Sequence, residues 1–243
     1  MFLMLHAEIF SAKTMAEAKR IVHEKVSDQK NTLVLLDVDM TLVFPDNQAV
    51  RYPAIKRNLL TYYRIQWSKG YLTRTLVTVL YPPVLIESDI PQLIQEFGSK
   101  TILFTACASG AVGPFQSIKK TKYEGLKKLG IDFSKTFGKD FEDPVFYKGM
   151  LFAENEDRKG EVLVQFLKKI SLTKLKTIVL IDDRKSNIKD VMKTLNTQMP
   201  DIQFVGIEYQ GSLDKGGDIS SEEFKRVWRH AADIAHAPQS AQQ

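Results

Sequence analysis

Thr32-Leu-Val-Leu-Leu-Asp37-Val-Asp39-Met-Thr41-Leu-Val-Phe44 decides how this chain is read, because an apolar run stops abruptly at two carboxylates. Leu33 to Leu36 show no polar-apolar alternation. The strand they predict is therefore buried on both faces, as in a parallel sheet with helices on either side. Such a strand delivers Asp37 and Asp39 to the carboxyl edge of the sheet, where open α/β sheets bind ligands. Residues i and i+2 of an extended segment share a face, so the two carboxylates are expected to converge on one metal ion or one reacting group. Asp-x-Asp also ends ordinary strands and occurs in unrelated metal loops, so the rest of the chain has to decide.

The 243 residues are 44% hydrophobic and 26% charged, which suits one globular domain with a sizeable insertion. The net charge of +5 mildly favours anionic partners, but Lys and Arg are spread widely and no nucleic acid is expected as a partner. A single cysteine, Cys107, excludes an internal disulfide and a cysteine-based zinc cluster; His6, His23, His230 and His236 show no metal-ligand spacing. Met1 to Ala12 is too short to span a bilayer and lacks a basic n-region. It reads either as the remnant of a signal peptide or as a segment packing on the domain, which leaves a cytoplasmic and a periplasmic or secreted location both open. No other segment reaches transmembrane length, and oligomeric state is not legible.

Ahead of the central strand, residues 1–31 form a lead-in with a helix over Thr14 to Val26. The core is expected over 32–44 and 99–235, interrupted by a helical insertion over 45–98, with a disordered tail at 236–243. Within the insertion a helix starts at Pro53, Pro82-Pro83 closes a helical pair, and a short helix covers Pro91 to Phe97. Between Asp46 and Glu87 there is no acid, while Arg51, Lys56, Arg57, Arg64, Lys69 and Arg74 alternate with Tyr52, Tyr62, Tyr63, Trp67, Tyr71 and Tyr81. That pattern suits either a solvated basic face or a grip on an anion.

Beyond Gly98 the pattern predicts strand Thr101 to Thr105, helix Pro114 to Leu129, a loop over Asp132 to Asp143, and a hairpin over Val145 to Ala153. Helix Lys159 to Ile170, strand Thr177 to Ile181, helix Ser186 to Leu195 and strand Ile202 to Ile207 follow. A last helix runs from Ser221, its expected N-cap, to Ile234. The βαβα order predicts a doubly wound, Rossmann-like parallel α/β sheet with right-handed crossovers and a small helical cap inserted after the first strand.

Three strand ends thus carry Asp37 and Asp39, Thr105, and Asp182 and Asp183, and Lys159 opens the helix before the last of them. Carboxylates hold a hard cation, while a hydroxyl and an ammonium suit phosphoryl oxygens. In these motifs and their order the chain resembles the haloacid-dehalogenase-like (HAD) hydrolase superfamily: Asp37-Val-Asp39-Met-Thr41, then Thr105, Lys159, and Asp182-Asp183. The resemblance covers about Leu33 to Gly211. Lys159-Gly-Glu-Val-Leu163 and Ile181-Asp-Asp-Arg-Lys-Ser-Asn-Ile188 are similar to a bacterial branch of unknown function related to class B acid phosphatases.

The resemblance implies a Mg²⁺-dependent phosphatase that hydrolyses a phosphate monoester through an aspartyl-phosphate. Asp37 would be the nucleophile, Asp39 the general acid and base, and Thr105 and Lys159 the ligands of the phosphoryl oxygens. Mg²⁺ would sit on the Asp37 carboxylate, the Asp39 backbone carbonyl and Asp183, chosen over Asp182, with Asn187 behind them. The substrate would be a phosphorylated, anionic molecule.

A receiver domain also uses acids, a Thr and a Lys, but the late double acid and the long insertion argue against it. Position 113 is Gly where a cysteine phosphatase built on Cys107 needs Arg, and no P-loop motif is present. The alternative reading is a binding or effector protein on the same fold, directed at a host or partner phosphoprotein.

Overall fold

An apolar run with no alternation is stable only if both its faces are covered, and the tertiary structure does cover them. The computed structural model describes residues 7–98, 100–133, 143–154, 158–170 and 174–237, with 66–69 described by backbone alone. In chain order the elements are β1 (Glu8–Ala12), α1 (Met15–Lys25), β2 (Thr32–Leu36), β3 (Val43–Pro45), α2 (Tyr52–Arg57), α3 (Leu59–Leu80), β4 (Pro83–Leu85), α4 (Ile90–Gln95) and β5 (Thr101–Thr105). Then come α5 (Ile118–Lys128), β6 (Phe146–Tyr147), β7 (Met150–Phe152), α6 (Lys159–Ile170), β8 (Thr177–Asp182), α7 (Lys185–Gln198), β9 (Gln203–Tyr209) and α8 (Ser221–Ala235).

Seven strands form one sheet in the order β1-β9-β8-β2-β5-β7-β6, parallel throughout except for β6 against β7. This is the expected doubly wound, Rossmann-like α/β architecture. Every residue of β2, β5 and β8 is buried. Leu33, Leu35, Ile102, Phe104, Ile178 and Leu180 point to the face covered by α6 and α7; Val34, Leu36, Leu103, Val179 and Ile181 point to the face covered by α1, α4, α5 and α8. Each such side chain contributes about 1.5–3 kcal/mol by leaving water, so a charge placed within these strands would break the sheet.

β2 lies at the centre, with β8 on one side and β5 on the other. The chain moves outward from β2 in both directions, which makes the carboxyl ends of β2 and β8 a topological switch point. That is where such sheets open a crevice.

Three features differ from the sequence reading. Glu8–Ala12, read as part of a signal-peptide remnant or of a segment packing on the domain but not as a strand, is an edge strand paired in parallel with β9 from Glu8 opposite Val205 to Ala12 opposite Tyr209. Its exposed-to-buried pattern is that of a half-covered edge, which a window ending at the chain terminus does not reveal. α5 starts at Ile118 and not Pro114, because Ser117 caps it and Phe115 turns back to pair with Val112. The N-cap of α8 is Ser220, whose hydroxyl accepts from Glu223 N at 3.1 Å; Ser221 is already helical. The hairpin near Val145 is present as β6 and β7, turning through Lys148 (φ 48) and Gly149 (φ 80). A Cβ on Gly149 would stand 2.5 Å from the Phe133 carbonyl, so only glycine fits there.

The insertion is entered and left through β3 and β4, an antiparallel ribbon with Val43 opposite Leu85. Between them α2 and α3 form the helical part, and α3 breaks at Gly70 (φ 44, ψ −145). α4 lies within the expected insertion but packs on α1 and delivers Ile90 and Ile94 to the main core. α8 lies along α3, with Trp228 meeting Tyr62 edge to face at 4.9 Å and donating to the Ala49 carbonyl at 3.0 Å.

The side chains of Trp67 and Lys69, most of the loop expected over Asp132 to Asp143, residues 1–6 of the lead-in and the tail from 238 lie outside the described residues. Among the described residues no helix is long and apolar enough to cross a membrane.

Candidate active site

β2 ends at Leu36, and Asp37 N extends its ladder by one bond, donating to the Ile181 carbonyl of β8 at 2.9 Å. The chain then curls. Leu42 N and Val43 N both donate to the Val38 carbonyl, at 2.9 and 3.1 Å. Met40 takes a left-handed conformation with φ 66, a state of order 1–3 kcal/mol in cost for a side-chain-bearing residue. Ser212 Oγ donates to the Met40 carbonyl at 2.7 Å and helps hold it there. The left-handed turn falls just after Asp39, which still makes a bridge to Val43. Both carboxylates still border one cavity, but each has its own lysine.

Asp37 is 5% exposed, and its two oxygens take Lys159 Nζ at 2.7 Å and Thr41 Oγ1 at 3.0 Å. Lys159 has no exposed surface. Its ammonium also reaches Asp182 Oδ2 at 2.7 Å and the Phe104 carbonyl at 2.9 Å, so three acceptors match its three hydrogens. Asp182, equally buried, accepts further from Asn187 Nδ2 at 3.0 and 3.1 Å and from Arg184 N at 2.9 Å. Asp183, one residue later, points elsewhere: it accepts from the Tyr52 hydroxyl of α2 and its backbone N–H donates to Thr41 Oγ1 at 3.1 Å. Thr41 thus ties the end of β2 to the end of β8.

Asp39 turns toward α5. Lys122 Nζ lies 2.6 and 2.7 Å from its two oxygens and 3.2 Å from Thr78 Oγ1 of α3, and Thr105 Oγ1 lies 3.3 Å from Asp39 Oδ2. The Asp39 side chain is 21% exposed, that of Lys122 4%.

Carboxylate oxygens of Asp37, Asp182 and Asp183 all lie within 4.8 Å of one another. Burial pushes the Asp37 carboxyl well above its usual range; Lys159 opposes this, while Asp182 and Asp183 add to it. Burial likewise raises Asp183 to about 7, with Asp182 contributing. For Lys159 burial disfavours the charge, but Asp182 and Asp37 outweigh it and the ammonium is held more firmly than usual. Lys122 shows the same balance, with Asp39 winning over burial. Cys107, buried beside Thr105, is pushed up to about 12 by burial, which keeps it a thiol and removes it as a nucleophile.

A cavity of about 80 Å³ opens onto Asp37, Asp39 and Asp183, roofed by Ile55, Tyr62, Arg74 and Thr78 of the insertion and by Trp228 of α8. Of the candidate residues, the structure brings Asp37, Asp39 and Asp183 to this cavity. Thr105 and Lys159 lie behind it, engaged with those acids. Three carboxylates against Lys159 and, beside Asp183, Arg184 still leave an excess of negative charge in a cluster of oxygen donors, a set suited to a hard divalent cation. Asp182 is already saturated by Lys159, Asn187 and a backbone N–H, so Asp37 and Asp183 are the side chains with capacity to bind one. The Asp39 side chain stands outside this cluster, which is compatible with a ligand role for its backbone carbonyl only.

Lys122 has no counterpart in the sequence reading. One signal was available: Ile118, Lys122 and Leu126 recur at i, i+4 and i+8, which places a lysine on the apolar stripe of α5. Tyr52 was read only as part of a basic-aromatic pattern. Among the basic residues of the insertion, Arg74 borders the cavity, Arg51 is buried over the Phe44 ring at 3.0 Å, and Arg57 donates to the Gly217 carbonyl. Arg57 is therefore a strut between the insertion and the loop before α8.

An acid cluster with a buried lysine thus stands at the switch point of a mostly parallel α/β sheet, beneath a helical insertion and beside a small cavity. The chain belongs to the family described as protein of unknown function DUF2608, which matches residues 11–234. It is 26% identical over 197 residues to the uncharacterized protein RP296 of Rickettsia prowazekii (strain Madrid E), covering 75% of this chain and 70% of that one. It is 31% identical over 156 residues to the uncharacterized protein RP295 of the same organism, covering 57% and 52%. An uncharacterized protein of Rickettsia felis (strain ATCC VR-1525 / URRWXCal2) is 30% identical over 145 residues, covering 53% and 49%. The chain thus spans about half the length of the latter two.

Proposed function

We propose that this protein is a Mg²⁺-dependent phosphatase of the HAD-like type, hydrolysing a phosphate monoester through an aspartyl-phosphate on Asp37. One observation carries the reading: Asp37 stands at the switch point with both oxygens oriented by Lys159 and Thr41, facing a phosphoryl-sized cavity that it shares with Asp39 and Asp183.

In the first step an Asp37 carboxylate oxygen attacks phosphorus, the bond from phosphorus to the ester oxygen breaks, and Asp39 gives its proton to the departing alkoxide. In the second, water attacks the same phosphorus and yields a proton to Asp39; inorganic phosphate leaves and Asp37 is restored. Mg²⁺, held by Asp37 and Asp183, would neutralise the charge that carboxylates and phosphate bring together. Lys159 fixes the orientation of Asp37, Thr41 locks Asp37 to the backbone of Asp183, and Thr105 with Lys122 holds Asp39. Arg74 supplies a cation at the roof of the cavity.

The test is release of inorganic phosphate from a panel of monoesters, with Mg²⁺ and with chelator, for the wild type and Asp37→Asn. Turnover that needs Mg²⁺ and vanishes in Asp37→Asn supports the reading. Turnover in Asp37→Asn close to wild type removes the covalent mechanism, and no turnover on any ester removes the phosphatase.

A further inference from the structure

A cavity of about 80 Å³ holds a phosphoryl group and little more, so the alcohol part of an ester needs space elsewhere. Two of its wall residues, Asp39 and Thr78, also line a second cavity of about 610 Å³ between the end of α3 and α5. That volume lies within the roughly 300–1,000 Å³ of small-molecule sites. Leu80, Tyr81, Pro83, Phe115 and Leu129 form its walls, while Lys122 lies at the inner end beside Asp39.

We propose that this groove takes the leaving group of the substrate, and that the leaving group is an apolar alcohol or phenol of aryl or long-alkyl type. The inference rests on the phosphatase reading and deepens it. Asp39 is the residue that must protonate the leaving oxygen, so the leaving group has to lie next to it, on the side away from Asp37. The groove begins at that place. Most of its wall surface is apolar, with Thr121 and Glu124 among the polar groups beside it, and apolar walls reward an apolar occupant. Lys120 and Lys128 stand among its lining residues and are compatible with the overall negative charge of the ester.

The groove narrows the part played by the basic insertion. Positive charge at the phosphoryl cavity comes from Arg74 and Arg184, with Lys122 behind Asp39, and selectivity for the rest of the molecule falls mainly to apolar contact.

The experiment measures equilibrium binding by calorimetry, with Mg²⁺ present, of two non-hydrolysable probes, methylphosphonate and 1-naphthylmethylphosphonate. Each buried methylene-sized unit is worth roughly a factor of four, so the naphthyl probe should bind at least about tenfold more tightly. Thr121→Trp, which places an indole in the groove away from the acids, should remove that preference and leave methylphosphonate binding unchanged. If Thr121→Trp does not fold, Phe115→Ala takes its place and should shrink the preference by removing a wall. Equal affinity for the two probes in the wild type, or a preference that survives in the folded variant, overturns the groove while leaving the phosphoryl site standing. Failure of both probes to bind overturns the phosphoryl site and the groove with it.

Discussion

Replacing Lys159 with methionine keeps most of the side-chain volume and removes the ammonium that Asp37 and Asp182 share. In the wild type the ammonium has no exposed surface and contacts Asp37 and Asp182 at 2.7 Å each and the Phe104 carbonyl at 2.9 Å. Loss of one member of a buried ion pair typically costs about 3–5 kcal/mol, because the partner is left charged without water or counter-ion. Here two acids are stranded, so the upper part of that range applies at alkaline pH. For a chain of this size each kcal/mol moves the melting temperature by about 2–4 °C, so about 4–5 kcal/mol places the fall at roughly 8–20 °C.

The deficit should also depend on pH, with a definite sign. Burial already raises Asp37 above its unfolded value, and losing the ammonium that opposes burial raises it further. A carboxyl shifted upward adds stability that is fully present below its unfolded value and is lost as pH rises through its folded value. The deficit of Lys159→Met is therefore smaller at pH 5 than at pH 8, and millimolar Mg²⁺ should recover part of it at pH 8. Urea unfolding of metal-free protein at both pH values, followed by circular dichroism, measures this. A deficit below about 1 kcal/mol at pH 8, or one equal at pH 5 and pH 8, would refute the account of Lys159 as the charge that holds the two acids together.

Wild-type protein without metal should itself lose stability between about pH 4 and pH 7, since Asp183 is raised to about 7; the span of roughly three pH units sets a ceiling near 4 kcal/mol, reduced by its partial exposure, and calorimetry with and without Mg²⁺ should show the slope and its removal. Lys122→Met should cost less than Lys159→Met, about 1–3 kcal/mol, because the Asp39 side chain it abandons is 21% exposed and water can replace the ammonium; the two variants compared in urea decide this. Gly160→Ala should destabilise by about 1–3 kcal/mol, because the new Cβ would stand 2.3 Å from Thr194 Oγ1 and 2.9 Å from the Asp190 carbonyl, forcing α6 off α7. Arg74→Ala should raise KM for any ester the protein hydrolyses, while Arg57→Ala should lower the melting temperature and leave KM unchanged; steady-state kinetics beside a melting curve separates the two.

Much of the fold was legible because its signals are local. Unbroken apolar runs at Leu33 to Leu36, Thr101 to Thr105 and Thr177 to Ile181 mark strands buried on both faces, and the helical stripes between them mark the covers. The acids at the strand ends follow from the same reading, since parallel strands put all their carboxyl ends on one edge. Glu8–Ala12 was missed because an edge strand at a terminus offers only half a pattern and draws its hydrogen bonds from β9, almost two hundred residues away.

The sequence by itself determined the helices and the central strands, their order, and which edge carries the acids, because hydrophobic period and strand direction are properties of short segments. Only the tertiary structure decided how those acids are shared out: Asp37 and Asp182 to Lys159, Asp39 to Lys122, Asp183 to Tyr52 and the cavity. It also decided that Arg57 braces a loop while Arg74 faces the site. Charge pairing depends on distances of 2.6–2.7 Å between side chains 23 to 122 residues apart, and no period in the sequence encodes such distances.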